Sequence, residues 1–77
     1  MTNLQALMKD INQIVSNNIR KYRLEKNLTQ ESLALESGLH RAYIGQVERN
    51  EKNIGLTNLQ KIALTLKIDI KEFLDDK

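Results

Sequence analysis

Apolar residues along this chain recur every three or four positions and never in sustained alternation, the spacing of helix faces and not of strands. Leu4, Leu7, Met8, Ile11, Val15, Ile19 and Tyr22 form the first stripe, with Thr2 or Asn3 placed to cap it. They predict one continuous helix ending near Lys26. Its polar run Ser16-Asn17-Asn18 is poor helix material and marks either a break or a solvent face. Asn27 follows where the chain needs a left-handed residue. Thr29 then caps a short second helix that turns Leu33 and Ala34 inward, Gly38 ends it, and Leu39 plugs the turn. A third helix runs from about Arg41 to Arg49 with Ile44 and Val47 inward and Asn50 as its left-handed cap. A fourth, from about Leu56 to Leu66, buries Leu59, Ile62, Ala63 and Leu66. Asp69 and Glu72 have capping-box spacing, which starts a last short helix at Ile70 with Phe73 or Leu74 inward. The expectation is an all-α fold of five short helices.

Length and composition narrow the function classes. A chain of 77 residues has room for one hydrophobic core, so residues 1–77 read as a single domain. Pro is absent and the three glycines stand singly, so no flexible linker divides it. With no Cys and His40 as the only His, neither a disulfide framework nor a metal site is expected, and no cofactor is implied. No apolar run approaches the roughly 20 residues that cross a bilayer, and no secretory leader is visible. A cytoplasmic, nucleoid-associated protein of prokaryotic or phage origin, without a membrane partner, is the expectation. Ser16, Ser32 and Ser37 share one His and none lies in a glycine-flanked elbow, so catalysis is not expected. The net charge of +2 permits nucleic-acid binding without arguing for it, but its placement is informative. Every Arg (Arg20, Arg23, Arg41, Arg49) lies between residues 20 and 49, whereas the last nine residues, Asp69 to Lys77, hold four acids and two lysines.

Two helices of about two turns joined by a tight glycine-containing turn form a helix-turn-helix unit, here about residues 29–49. Its third helix is expected to expose His40, Arg41, Ala42, Gly45, Gln46 and Arg49 opposite Ile44 and Val47. Arg41 offers a fork to guanine, Gln46 a donor and acceptor pair to adenine, and Ala42 a methyl contact to thymine.

The stretches Ile19-Arg20-Lys21-Tyr22-Arg23, Leu28 to Ala34, Tyr43 to Asn50 and Leu59 to Leu66, in that order and spacing, resemble the lambda-repressor-like, or Cro and XRE-type, helix-turn-helix family. Leu39-His40-Arg41-Ala42-Tyr43-Ile44 with Glu48-Arg49-Asn50 is most similar to restriction-modification controller proteins, although phage-type repressors and antitoxin-like regulators share much of the pattern. The resemblance implies a transcriptional regulator that binds operator DNA through a five-helix domain. It implies base reading by Arg41, Gln46, His40 and Ala42, and phosphate contacts from Gln30, Asn53, Lys52 and Arg49. It further implies a structural ion pair between Arg23 and Glu48, and a homodimer, with dimers paired on adjacent sites. The C-terminal apolar residues Leu64, Ile68, Ile70, Phe73 and Leu74 are the expected dimer interface. Residues 1–12 lie outside the match as an N-terminal helical extension of about 15 Å, covering either the domain's own core or a subunit interface. A helical protein-interaction module without DNA binding is the alternative from another class.

Overall fold

The first helix, α1, runs unbroken from Leu4 to Glu25 in the computed structural model, which describes residues 3–76 apart from the side chains of residues 5–10. At 22 residues it is not one of five short helices but a rod of about 33 Å. The other helices are α2 (Gln30–Ser37), α3 (Arg41–Glu48) and α4 (Leu56–Leu66), followed by a single 3-10 turn at Ile70–Leu74.

The polar run inside α1 is not a break, and of its three residues only Asn17 faces solvent. Ser16 and Asn18 are buried, at 3% and 7% exposure. The Asn18 side-chain amide donates to the carbonyls of Phe73 and Asp75, both at 2.9 Å, with Glu72 at 3.4 Å. It thereby ties the C-terminal end of the 3-10 turn to α1. Ser16 Oγ donates to Asn50 Oδ1 at 3.3 Å, and Asn50 Nδ2 donates to Gln13 Oε1 at 3.3 Å, so the polar face of α1 holds both the end of α3 and the end of the chain.

The turns follow from local chemistry. Thr29 Oγ1 accepts the Ser32 N–H at 3.0 Å and opens α2. Gly38, at φ 75°, closes it in the left-handed region, and the Leu39 N–H returns to the Ala34 carbonyl at 3.0 Å. Asn27 and Asn50 take the left-handed conformations expected of them, and Lys67 takes a third, at φ 58°, at the end of α4. The last element is 3-10 and not α-helical because the Glu72 N–H bonds to the Asp69 carbonyl at 2.9 Å. The Asp69 side chain accepts from the Lys71 N–H at 3.1 Å and caps the turn.

One cluster joins all the elements: Val15 and Ile19 of α1, Leu33 and Ala34 of α2, Ile44 and Val47 of α3, Leu59, Ile62, Ala63 and Leu66 of α4, and Phe73. Phe73 is fully buried and meets Tyr22 edge-on, with ring centroids 5.5 Å apart. In the N-terminal extension Leu4 and Ile11 are exposed; Thr2 and the side chains of Leu7 and Met8 lie outside the described residues. No helix among the described residues is long and apolar enough to cross a membrane.

Candidate DNA-binding face

Helix α3 is the second helix of the helix-turn-helix, and its orientation is set from below by a buried ion pair. Arg23 Nε donates to Glu48 Oε2 at 2.7 Å and Arg23 Nη2 to Oε1 at 2.9 Å, tying α1 to the last turn of α3. Arg23 Nη1 donates to the Leu28 carbonyl at 2.8 Å, and Gln30 Nε2 adds a third donor to Glu48 Oε1 at 3.1 Å. The cluster thus fixes α1, the turn before α2, the first residue of α2 and the end of α3 at one point. Both charges are desolvated and fully hydrogen-bonded, the condition under which a buried pair is tolerated and positions its neighbours. Among the described residues no buried side-chain polar atom lacks a partner. From α4, Asn58 Nδ2 donates to Tyr43 Oη at 3.1 Å and braces α3 on another side.

Away from the core, α3 opens with His40 as N-cap, its imidazole exposed and making no capping hydrogen bond. Arg41 and Ala42 are exposed, and Gln46 one turn later is half-buried. Among the described residues the Arg41 guanidinium makes no ion pair. These four residues therefore form a row of donors, acceptors and a methyl group reaching from the N-terminal end of α3 toward its middle. Gln30, at the start of α2, borders that row while holding Glu48.

Gly45 departs from the sequence-based expectation, and Arg49, exposed as expected, has a partner that the sequence reading did not give it. Gly45 is buried, not exposed: the Arg49 Nη1 atom lies 3.0 Å and Gln30 Oε1 3.5 Å from where a Cβ on Gly45 would stand. Arg49 is folded back over the helix and held by Glu51, its Nε at 2.7 Å from Oε2 and its Nη2 at 3.2 Å from Oε1. That hydrogen bond, with the charge attraction, holds the Glu51 carboxyl below its ordinary pKa and the Arg49 guanidinium above its own. The left-handed Asn50 between them turns the chain so that residues two apart can meet. Lys52 and Asn53 are exposed in the loop before α4, on the rim of a groove that Ile11 and Asn12 of α1 also line.

The expected dimer residues divide. Leu64 and Leu74 are exposed, at 73% and 47%, and Ile70 lies at 36%. Ile68 is half-buried against the core. Phe73 is corrected: its ring is wholly enclosed by its own chain and offers no surface to a second copy. Sequence reasoning also passed over the exposed Leu35 and Leu56, at 82% and 78%.

The sequence pattern described as helix-turn-helix matches residues 19–73, from the middle of α1 to the 3-10 turn. The chain belongs to the helix-turn-helix family. Within that family it is 43% identical over 74 residues to the control protein C.SmaI of Serratia marcescens, covering 96% of this chain and 88% of the relative. The structure is similar to that of the restriction-modification controller protein C.AhdI from Aeromonas hydrophila, with a TM-score of 0.77, 40% identity, and coverage of 80% of this chain and 94% of the other. It also resembles SinR, a master regulator for biofilm formation solved in complex with DNA, with a TM-score of 0.76, 29% identity, and coverage of 79% and 98%.

Proposed function

We propose that this chain is a sequence-specific DNA-binding transcriptional regulator of the restriction-modification controller type, acting as a homodimer on a two-fold symmetric operator. The observation that carries this reading is the near full-length similarity to a control protein, 43% identical over 96% of this chain. In this reading α3 enters the major groove. Arg41 takes a guanine edge, Gln46 an adenine edge and Ala42 a thymine methyl, with His40 at the helix start. Gln30, at the N-terminal end of α2, and Lys52, Asn53 and Arg49, around the end of α3, contact phosphates and set the docking register.

An eight-residue recognition helix touches few base pairs, and each good bidentate contact discriminates by about 1–3 kcal/mol, so one subunit has little basis for finding a site in a genome. Two linked half-sites multiply that discrimination. The exposed Leu64, Ile70 and Leu74, with Ile68 at their edge, supply the apolar surface for the partner copy. Two such dimers on adjacent sites would make occupancy, and with it the regulatory outcome, depend on protein concentration.

Selection from random duplexes at a fixed salt concentration, paired with equilibrium sedimentation of the selected complex, tests the reading. The expected result is a palindromic motif bound by two chains, with half-site centres about 34 Å or a multiple apart and an affinity that falls steeply with salt. Failure to enrich any motif, or full affinity of a single chain for an asymmetric half-site, would overturn it.

A further inference from the structure

Resting on the proposed function, we infer that Glu51 is a latch on the DNA-binding face: it competes with the DNA backbone for Arg49, and binding requires the Arg49 guanidinium to leave Glu51 for a phosphate. The Nε and Nη2 edge of that guanidinium, the fork that matches a phosphate or a carboxylate, is already occupied by the two oxygens of Glu51. The remaining nitrogen, Nη1, lies over Gly45, 3.0 Å from where a Cβ there would stand. The fork that best matches a phosphate is therefore taken up by Glu51, although the side chain as a whole is 57% exposed.

Gly45 leaves this posture uncrowded. A Cβ there would begin 3.0 Å from Arg49 Nη1, so any other residue would oblige the guanidinium to give way by a few tenths of an ångström. The contrast with Arg41, on the same helix and without an ion-pair partner among the described residues, is direct. Arg41 is ready for a base, whereas Arg49 must exchange partners. Glu51 is moreover an acid on a face that meets a polyanion, so an unreleased latch also repels DNA. The pair is exposed on both sides, at 57% and 53%, and such pairs are weak enough for a phosphate to displace. Glu51 therefore acts on DNA through Arg49 as a positioning residue that lowers affinity.

A double-mutant cycle on the full chain and a selected duplex tests this, with E51Q, R49A and R49A/E51Q compared against the unaltered protein across a salt series. Circular dichroism confirms that each variant is folded. The expected result is that E51Q tightens binding about two- to fivefold per half-site, the scale of an exposed pair, and that this gain vanishes in the R49A background. R49A alone should reduce the slope of log affinity against log salt by about one per half-site. An equal gain from E51Q with or without Arg49 would mean that only net charge had changed, and would overturn the latch. Weaker binding by E51Q would overturn it in favour of a buttress that aims Arg49 at the phosphate. Both of those results leave the DNA-binding function standing. Absence of salt-dependent DNA binding by the unaltered chain would remove the latch and the proposed function together.

Discussion

The two ion pairs, Arg23 with Glu48 and Arg49 with Glu51, have the same shortest distance, 2.7 Å, and both engage the guanidinium through Nε and Nη2. They differ in surroundings. The side chains of the first are 8% and 2% exposed, and those of the second 57% and 53%. Contact geometry therefore does not tell what an ion pair does; the solvent around it does. In the interior, the desolvated charges have no alternative partners, so the pair behaves as a fixed joint between α1 and α3. At the surface, water competes for both groups, the pair adds little to stability, and its partners are free to be exchanged.

The comparison is sharpest at Glu48. Replacing it by Ala strands the Arg23 guanidinium in the interior, and the expected loss of folding stability is about 3–5 kcal/mol, a large share of what a small domain has. Chemical denaturation measures it. An E48A protein with an unchanged midpoint would erase the distinction between the two pairs. Replacing both partners with apolar residues, as in R23M/E48M, should recover part of that loss, because no unpaired charge remains.

A smaller effect of opposite sign is expected at Gly45. Ala in its place gains up to about 1 kcal/mol of helix propensity, and the atom it would crowd is the tip of a flexible, exposed side chain that can move aside. G45A should therefore unfold at a slightly higher temperature while shifting the Arg49 guanidinium by a few tenths of an ångström. A lower melting temperature would show that Arg49 is held there more firmly than its exposure implies.

The smallest effect belongs to Glu51. Its folded-state pKa lies below the ordinary value because Arg49 donates to the carboxylate. Whatever the pair contributes is thus present at neutral pH, above the unfolded pKa, and lost as pH falls through the depressed folded value. An NMR titration of the Glu51 carboxyl should show its midpoint moving up in R49A while the unfolding midpoint at neutral pH stays the same. An unmoved carboxyl midpoint would mean that the pair does not persist in solution.

What was legible in the sequence was what is local. The apolar spacing of Leu59, Ile62, Ala63 and Leu66 defined α4 because a helix face repeats every turn, and Thr29, Gly38, Asn27 and Asn50 marked ends because their side chains or backbones suit one terminal conformation. Asn18 was misread because its partners, the carbonyls of Glu72, Phe73 and Asp75, are more than fifty residues away. Nothing beside a polar residue in sequence announces a distant carbonyl. Lys67 gave no sign of its left-handed backbone, since lysine has no special tolerance for it. The pairing of Arg23 with Glu48 came from family resemblance and not from spacing. Arg49 and Glu51 are near neighbours and opposite in charge, a visible signal, but their meeting depends on the reversal at Asn50, and the cover over Gly45 depends on the absence of a side chain. Phe73 was assigned to an interface because it was counted with the apolar residues around it, whereas the chain's one Phe, with no polar atom to keep wet, is the natural centre of so small a core.

The most direct test of the claim that α3 reads base sequence is the affinity of R41A for its selected operator and for unrelated duplex at one salt concentration. Arg41 is exposed at the start of α3 and makes no ion pair among the described residues, so its loss should leave the fold intact. The account predicts that specific binding weakens by about 1–3 kcal/mol, that preference blurs at one base position in each half-site, and that non-specific binding changes much less. Equal weakening on both duplexes would make Arg41 a phosphate contact and would contradict the assignment of α3 as the helix that reads sequence from its N-terminal end.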